Sequence, residues 1–209
     1  MIIYGKQVCL HALQHHSEKI KTVYVAKKGI LPNDLFHKYH DNIKFLEEKW
    51  AQSMSKGGNH QGLLVEMTEF EQSSLSEIKK NDFIVVLDGL TDVGNIGAIV
   101  RSAYALGADA IIAAGVKQLN FAAIARTSSG AMLDMPFMIA PNILDTFNEL
   151  QQLGFTFYGA SMDGENVQDI TFDTRRVLVL GSEGKGLSKK VIAKLDHSVS
   201  IEMKHSFDS

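Results

Sequence analysis

Two stretches of the chain place charged side chains where an apolar run breaks into glycines. In "VVLDGLTDVGNIGAIVRSAYALGADAII", residues 85–112, an acid and a glycine end the run, a polar loop follows, and Arg101 lies in what the spacing predicts to be a helix. In "RRVLVLGSEGKGLSKKVIAKLDHSVSIEM", residues 175–203, Val177–Leu180 run into three glycines interleaved with Glu183 and Lys185. Glycine admits positive φ and lets backbone approach a flat ligand, so both loops are candidates for binding one. Neither is a standard phosphate loop. A dinucleotide fingerprint needs G-x-G-x-x-G directly after the strand, and Gly89, Gly94 and Gly97 are spaced otherwise. "GSEGKGLS" misses the G-x-x-x-x-G-K-[ST] pattern because Leu187 follows Gly186. These failures disfavour a nicotinamide-dependent oxidoreductase.

A helix starting near Asn95 puts Ile96, Ile99, Val100, Ala103 and Gly107 on one core-facing side and Arg101 roughly opposite. A cation early in a helix gains nothing from the macrodipole. Arg101 is then either a solvated arginine or one placed to meet an anion such as an RNA phosphate. Glu183 has a plain reading too, as a carboxylate favoured near a helix N-terminus. Ser188 is a suitable N-cap for "KKVIAKL". Val199, Ile201 and Met203 alternate with Ser200 and Glu202, which predicts one buried strand face.

The elements that must position these loops alternate along the second part of the chain. Strands are expected at Phe83–Asp88, Ala110–Ala114, Pro136–Ala140, Phe155–Ala160, Arg176–Gly181 and Ser198–Met203, with helices between them, for example over 142–154. Such alternation implies an α/β fold with a mostly parallel sheet covered on both faces, and ligands at the carboxyl ends of its strands. Residues 1–70 read as a smaller α/β unit, with strands in 18–26 and 60–67 and a strand-to-helix passage over 42–54. A polar, serine-rich join covers 71–81 and carries a short helix, and the larger unit runs over 82–209.

Composition excludes several classes. With 209 residues, 45% of them hydrophobic and 22% charged, the chain suffices for one large or two small domains. No apolar run approaches the roughly 20 residues of a membrane span, and "MIIYGKQVCLHALQHH" lacks a charged lead and cleavage site. A net charge of −3 argues against nucleic-acid binding by bulk charge, while a local patch can still grip a structured RNA. The single cysteine, Cys9, forms no internal disulfide, so a reducing cytoplasm is expected. No pair of histidines has metal-ligand spacing, and no metal site is expected.

Taken together, the two stretches resemble the SpoU (TrmH-like) branch of the SPOUT methyltransferases. "DGLTDVGNIGAIVRSA" is similar to the family's first motif, with Asn95 and Arg101 at its characteristic positions, and "LVLGSEGKGLS", with Glu183, to its second. "RTSSGAMLDMPF" (126–137) resembles the small-residue segment between them. "YGKQVCLHAL" and "KGGNHQG" resemble a small ribosomal-protein-L30-like (L30e-like) substrate-binding domain.

The resemblance implies a trefoil-knotted α/β fold, a homodimer, and transfer of a methyl group from S-adenosyl-L-methionine to a ribose 2′-hydroxyl in RNA. The expected target is rRNA (23S, guanosine) ahead of tRNA, and the alternative is a non-catalytic RNA-binding member. It implies that Gly181 and Ile201, with Met203 in the same segment, contact the cofactor. It makes Arg101 the catalytic arginine, with Asn95 and Glu183 holding the site together. A sulfonium methyl is already activated, so alignment and relief of the hydroxyl proton are the main requirements. Arginine, with a pKa above about 12, suits electrostatic positioning better than proton abstraction. No metal is needed. In the family the segment after "EMKHSFDS" leads into a third motif, whose first serine aligns with Ser209. The resemblance therefore implies a chain lacking that motif, with the knot and dimer affected.

Overall fold

The computed structural model of the chain describes residues 1–202. Met1–Glu71, Val93–Arg101 and Asn120–Asp134 form one compact unit; Gln72–Asp92, Ser102–Leu119 and the described residues from Met135 onward form a second.

The first unit is built on a four-stranded sheet in the order β1 (Ile2–Tyr4), β4 (Leu63–Met67), β2 (Ile20–Val25), β3 (Ile43–Phe45). β4 is antiparallel to both of its neighbours, and β2 and β3 are parallel. Helix α1 (Lys6–His15) buries Val8, Cys9, Ala12 and Leu13, a helical repeat that seals it onto β1 and β4. The Cys9 thiol donates to the carbonyls of Ile3 and Leu63 at 3.7 and 3.6 Å. Burial pushes its pKa far above the ordinary value, which favours the neutral thiol. Two short helices, α2 (Asn33–Lys38) and α3 (Glu48–Met54), flank β3.

The join contains a one-turn helix, α4 (Leu75–Ile78), closed by a reciprocal capping box between Ser74 and Glu77. The residues just before it run beside a strand of the second unit, β7 (Phe137–Ile139). Ser73 N–H donates to the Phe137 carbonyl at 2.9 Å, and Ile139 N–H donates to Gln72 Oε1 at 2.8 Å.

The second unit is a six-stranded, wholly parallel sheet in which β5 (Phe83–Asp88) and β6 (Ala110–Ala114) have the expected bounds. The remaining strands are β8 (Thr156–Asn166), β9 (Arg176–Gly181) and β10 (His197–Ser200), and the order is β10-β8-β9-β5-β6-β7. β8 is longer than its apolar run predicts. β10 is shorter, stopping before Ile201.

One sheet face, including Val86, Ile112, Phe157 and Val179, packs against α7 (Ile143–Gln152) and Val191 of α8 (Lys189–Ile192). Asn142 caps α7 by accepting the Leu144 N–H at 3.0 Å, and Ile143, Phe147 and Leu150 recur at helical spacing on its buried side. Burying each contributes about 1.5–3 kcal/mol. Between β5 and β6 lies α5 (Val93–Ala105), and α6 (Phe121–Thr127) follows β6.

The α5 pattern holds with corrections. The helix begins at Val93, two residues earlier than expected. Ile96, Val100 and Ala103 are buried, Ile99 is half-buried, and Arg101 is exposed. Gly107 is not on the core face: it is exposed just past the helix end with φ 79°, a glycine stop.

Candidate active site

In the second unit the chain leaves β5 for β6 and β7 on one side, then crosses back to build β8, β9 and β10 on the other. The reversal falls between β5 and β9, whose carboxyl-terminal residues Asp88 and Gly181 stand side by side in register. A crevice at such a reversal is where open parallel sheets bind ligands.

The loop after β9 is folded back on itself. Gly186 N–H donates to the Ser182 carbonyl at 2.7 Å, and Gly186 has φ 62°. A Cβ at Gly181 would run into the backbone of Gly186 and Leu187, so the turn closes only over glycine. A Cβ at Gly184 would meet nothing within 4 Å. The loop therefore exposes peptide groups on an open side while its closed side is packed backbone on backbone. Glu183 is exposed on this loop.

Asp88, only 5% exposed, accepts the Ser188 N–H at 2.7 Å and ties the end of β5 to the end of the loop. The pattern reading missed its role, although an acid closing an apolar strand before glycine was a visible signal. Ser188 does precede α8, but its side chain makes no capping bond. Its Oγ is instead buried without a hydrogen-bond partner among the described residues.

The expected alternation over 199–203 is only partly realised. Val199 is buried in β10, whereas Ile201 lies beyond the strand and is 76% exposed. Pairing of β10 with β8 ends at Ser200, and among the described residues no strand pairing continues through Ile201. Met203, and the alignment of Ser209 with a third motif, lie outside the described residues. Gly181, Glu183 and Ile201 thus all belong to the second unit, the first two on one loop.

Asn95 and Arg101 belong to the first unit and are both exposed on α5. That helix packs closely on α6. A Cβ at Gly97 would collide with the Thr127 side chain, whose hydroxyl donates to the Val93 carbonyl at 2.7 Å. The first glycine-rich stretch therefore uses Gly97 for helix contact rather than for a ligand. The same unit carries an open cleft of about 640 Å³ whose lining includes Lys6, Lys27, Asn59 and Gln61, in part from the "KGGNHQG" turn.

The fold is a parallel α/β unit with a glycine-built loop at its switch point, together with a small mixed α/β unit. The chain belongs to the SpoU rRNA Methylase family, whose sequence profile matches residues 82–209. A second profile, RNA 2′-O ribose methyltransferase substrate binding, matches residues 2–73. The chain is 30% identical over 223 residues to the 23S rRNA (guanosine-2′-O-)-methyltransferase RlmB of Haemophilus influenzae, covering 99% of this chain and 90% of that protein. Identity to the Pasteurella multocida RlmB is 31% over 222 residues, with the same coverage.

Among solved structures, the SpoU methyltransferase AviRb from Streptomyces viridochromogenes, in complex with AdoMet, superposes with a TM-score of 0.77. The match is 24% identical and covers 100% of this chain and 83% of that one. An rRNA methyltransferase from Sinorhizobium meliloti gives 0.78 at 23% identity, covering 97% and 78%. At these identities the likeness is one of fold, that of the SPOUT methyltransferases. Members of the family are S-adenosylmethionine-dependent RNA 2′-O-methyltransferases, and by family this chain is an enzyme of that class.

Proposed function

We propose that the chain methylates the ribose 2′-hydroxyl of a guanosine in 23S rRNA. The observation that carries this reading is the Gly181–Ser188 loop. Its turn, its exposed peptide groups and the unpartnered Ser188 hydroxyl suit a ligand with a flat ring and several hydrogen-bonding groups. Similarity to RlmB proteins over 99% of this chain and 90% of theirs supports the choice of RNA.

In this reading the backbone around Gly181 and Ile201 holds S-adenosylmethionine, and Ser188 Oγ offers one hydrogen bond. When bound, the cofactor supplies a sulfonium-activated methyl group. Arg101 orients the ribose-phosphate and stabilises the charge that develops on the 2′-oxygen as its proton leaves, which a guanidinium does better than it abstracts a proton. Asn95 and Glu183 hold the reacting groups in place.

Residues 1–70 grip the RNA, using Lys6 and Lys27 beside the polar "KGGNHQG" turn; 71–81 serve as linker and 82–209 as the transferase domain. The reading also places the chain in the cytoplasm, and takes the homodimer as the pattern of the full-length family.

The test is transfer of labelled methyl from S-adenosylmethionine to a 23S rRNA transcript, with the label mapped to base or ribose. Label at a ribose is expected. Arg101 is exposed, so Arg101→Ala opens no cavity. It should lower turnover at least about 10²-fold, the scale of a lost transition-state donor, while cofactor affinity stays within about threefold. Equal losses in both would make Arg101 structural. RNA binding without any transfer would favour the non-catalytic alternative.

A further inference from the structure

A second site lies wholly within the first unit. His11 Nε2 is 2.7 Å from Asp134 Oδ2, and His16 Nε2 is 2.9 Å from Asp134 Oδ1. The two histidines are five residues apart, a spacing that on an unbroken helix would point them about 140° apart. They converge because α1 ends at His15 and His16 leaves helical geometry, with φ −129° and ψ 43°. Asp134 comes from the end of the 3-10 turn Ala131–Leu133.

The seat for this cluster is shaped around it. Gly130 has φ 103°, and a Cβ there would lie 2.7 Å from the Cγ and Cδ2 atoms of the His11 ring. The ring can rest where it does only on a glycine. The His11, His16 and Asp134 side chains are 24%, 12% and 20% exposed, so the cluster is sheltered yet open to solvent on one side.

We propose that His11, His16 and Asp134 bind a divalent transition-metal ion, with zinc as the preferred occupant and water in the remaining position. One donor atom from each residue lies within 4.8 Å of the others. Donor atoms around tetrahedral zinc, at bond lengths near 2.1 Å, stand about 3.4 Å apart. Whichever carboxylate oxygen ligates, its short distance to the facing imidazole nitrogen, 2.7 Å for Oδ2 or 2.9 Å for Oδ1, has to open by about 0.5–0.7 Å. Both imidazoles present the same nitrogen to the carboxylate, so an ion there exchanges two hydrogen bonds for three coordinate bonds. Two imidazoles favour zinc, nickel or cobalt over magnesium or calcium.

The ion would tie α1 to the Asn120–Asp134 segment, within one unit and across more than a hundred residues of chain. A ligand that binds only the folded state raises stability, so metal should raise the melting temperature. This site is independent of the methyl-transfer reading.

The test titrates cobalt(II), as a visible probe, into the chelator-treated full chain, then measures zinc by competition. One equivalent should bind with a micromolar or tighter dissociation constant and show four-coordinate absorption. Asp134→Asn and His16→Gln should each weaken binding at least about tenfold, with circular dichroism confirming a folded chain. If a variant fails to fold, X-ray absorption at the edge of zinc bound to the wild-type chain reads the ligands directly, and two imidazoles with a carboxylate are expected. Binding unchanged by both substitutions, binding no tighter than millimolar, or a zinc spectrum without imidazole would overturn the proposal.

Discussion

The Gly181–Ser188 loop is assembled from consecutive residues, whereas His11 and His16 meet Asp134 across 123 and 118 residues of chain. Both depend on a glycine that leaves no room for a Cβ, Gly181 in one and Gly130 in the other. At Gly181 the excluded atom would strike backbone, so the glycine shapes a turn. At Gly130 it would strike an imidazole, so the glycine seats a side chain. A local loop announces itself in sequence because its glycines and polar residues are neighbours. A long-range cluster does not, since nothing in "HALQHH" refers to Asp134.

Each of the two sites can be disabled on its own. Among substitutions that separate the two sites, the largest effect should come from Gly181→Ala, which forces the loop off the Gly186 backbone. S-adenosylmethionine affinity should fall at least about tenfold, while cobalt binding at His11, His16 and Asp134 is unchanged, as calorimetry and absorption would each report. Matching losses at both places would mean that the two are not independent.

Gly97→Ala should act on the first unit instead. The added methyl meets Thr127, an overpacking cost of about 1–3 kcal/mol, offset in part by up to about 1 kcal/mol of helix propensity. The melting temperature should drop by a few degrees. Because α6 leads on to Gly130 and Asp134, cobalt affinity should fall with it. An unchanged melting temperature would show that Thr127 yields without cost.

The smallest effect should be Ser74→Ala in the join, about 1 kcal/mol for a lost cap. Hydrogen bonds from the Ser74 backbone and hydroxyl hold the Glu77 carboxyl below its ordinary pKa. A lowered carboxyl pKa stabilises the fold above the unfolded value, and this contribution fades as pH falls through the folded value. The difference in melting temperature between wild type and Ser74→Ala should therefore shrink on acidification. A difference that holds steady into acid would assign the effect to the serine alone.

Much of the second unit was legible because its strands are short apolar runs bounded by turn residues. β5, β6 and β9 have their expected bounds, and α7 starts at its asparagine cap. Ile201 was misread because alternation predicts which face a residue takes only while a neighbouring strand continues, and here pairing stops at Ser200. Gly107 was misread as core because the periodic pattern ran past the helix stop. At the candidate site, Gly181 and Glu183 came from a contiguous motif. The bond from Ser188 N–H to Asp88 needs two residues 100 apart and became visible only in the fold.

The central claim is that the loop closing over Gly181 is a cofactor site, and calorimetric titration of S-adenosylmethionine into the purified chain tests it most directly. Saturable binding with one site per chain, weakened by Gly181→Ala and indifferent to Asp134→Asn, is the predicted result. No measurable binding to a folded chain, or binding that Gly181→Ala leaves intact, would contradict it.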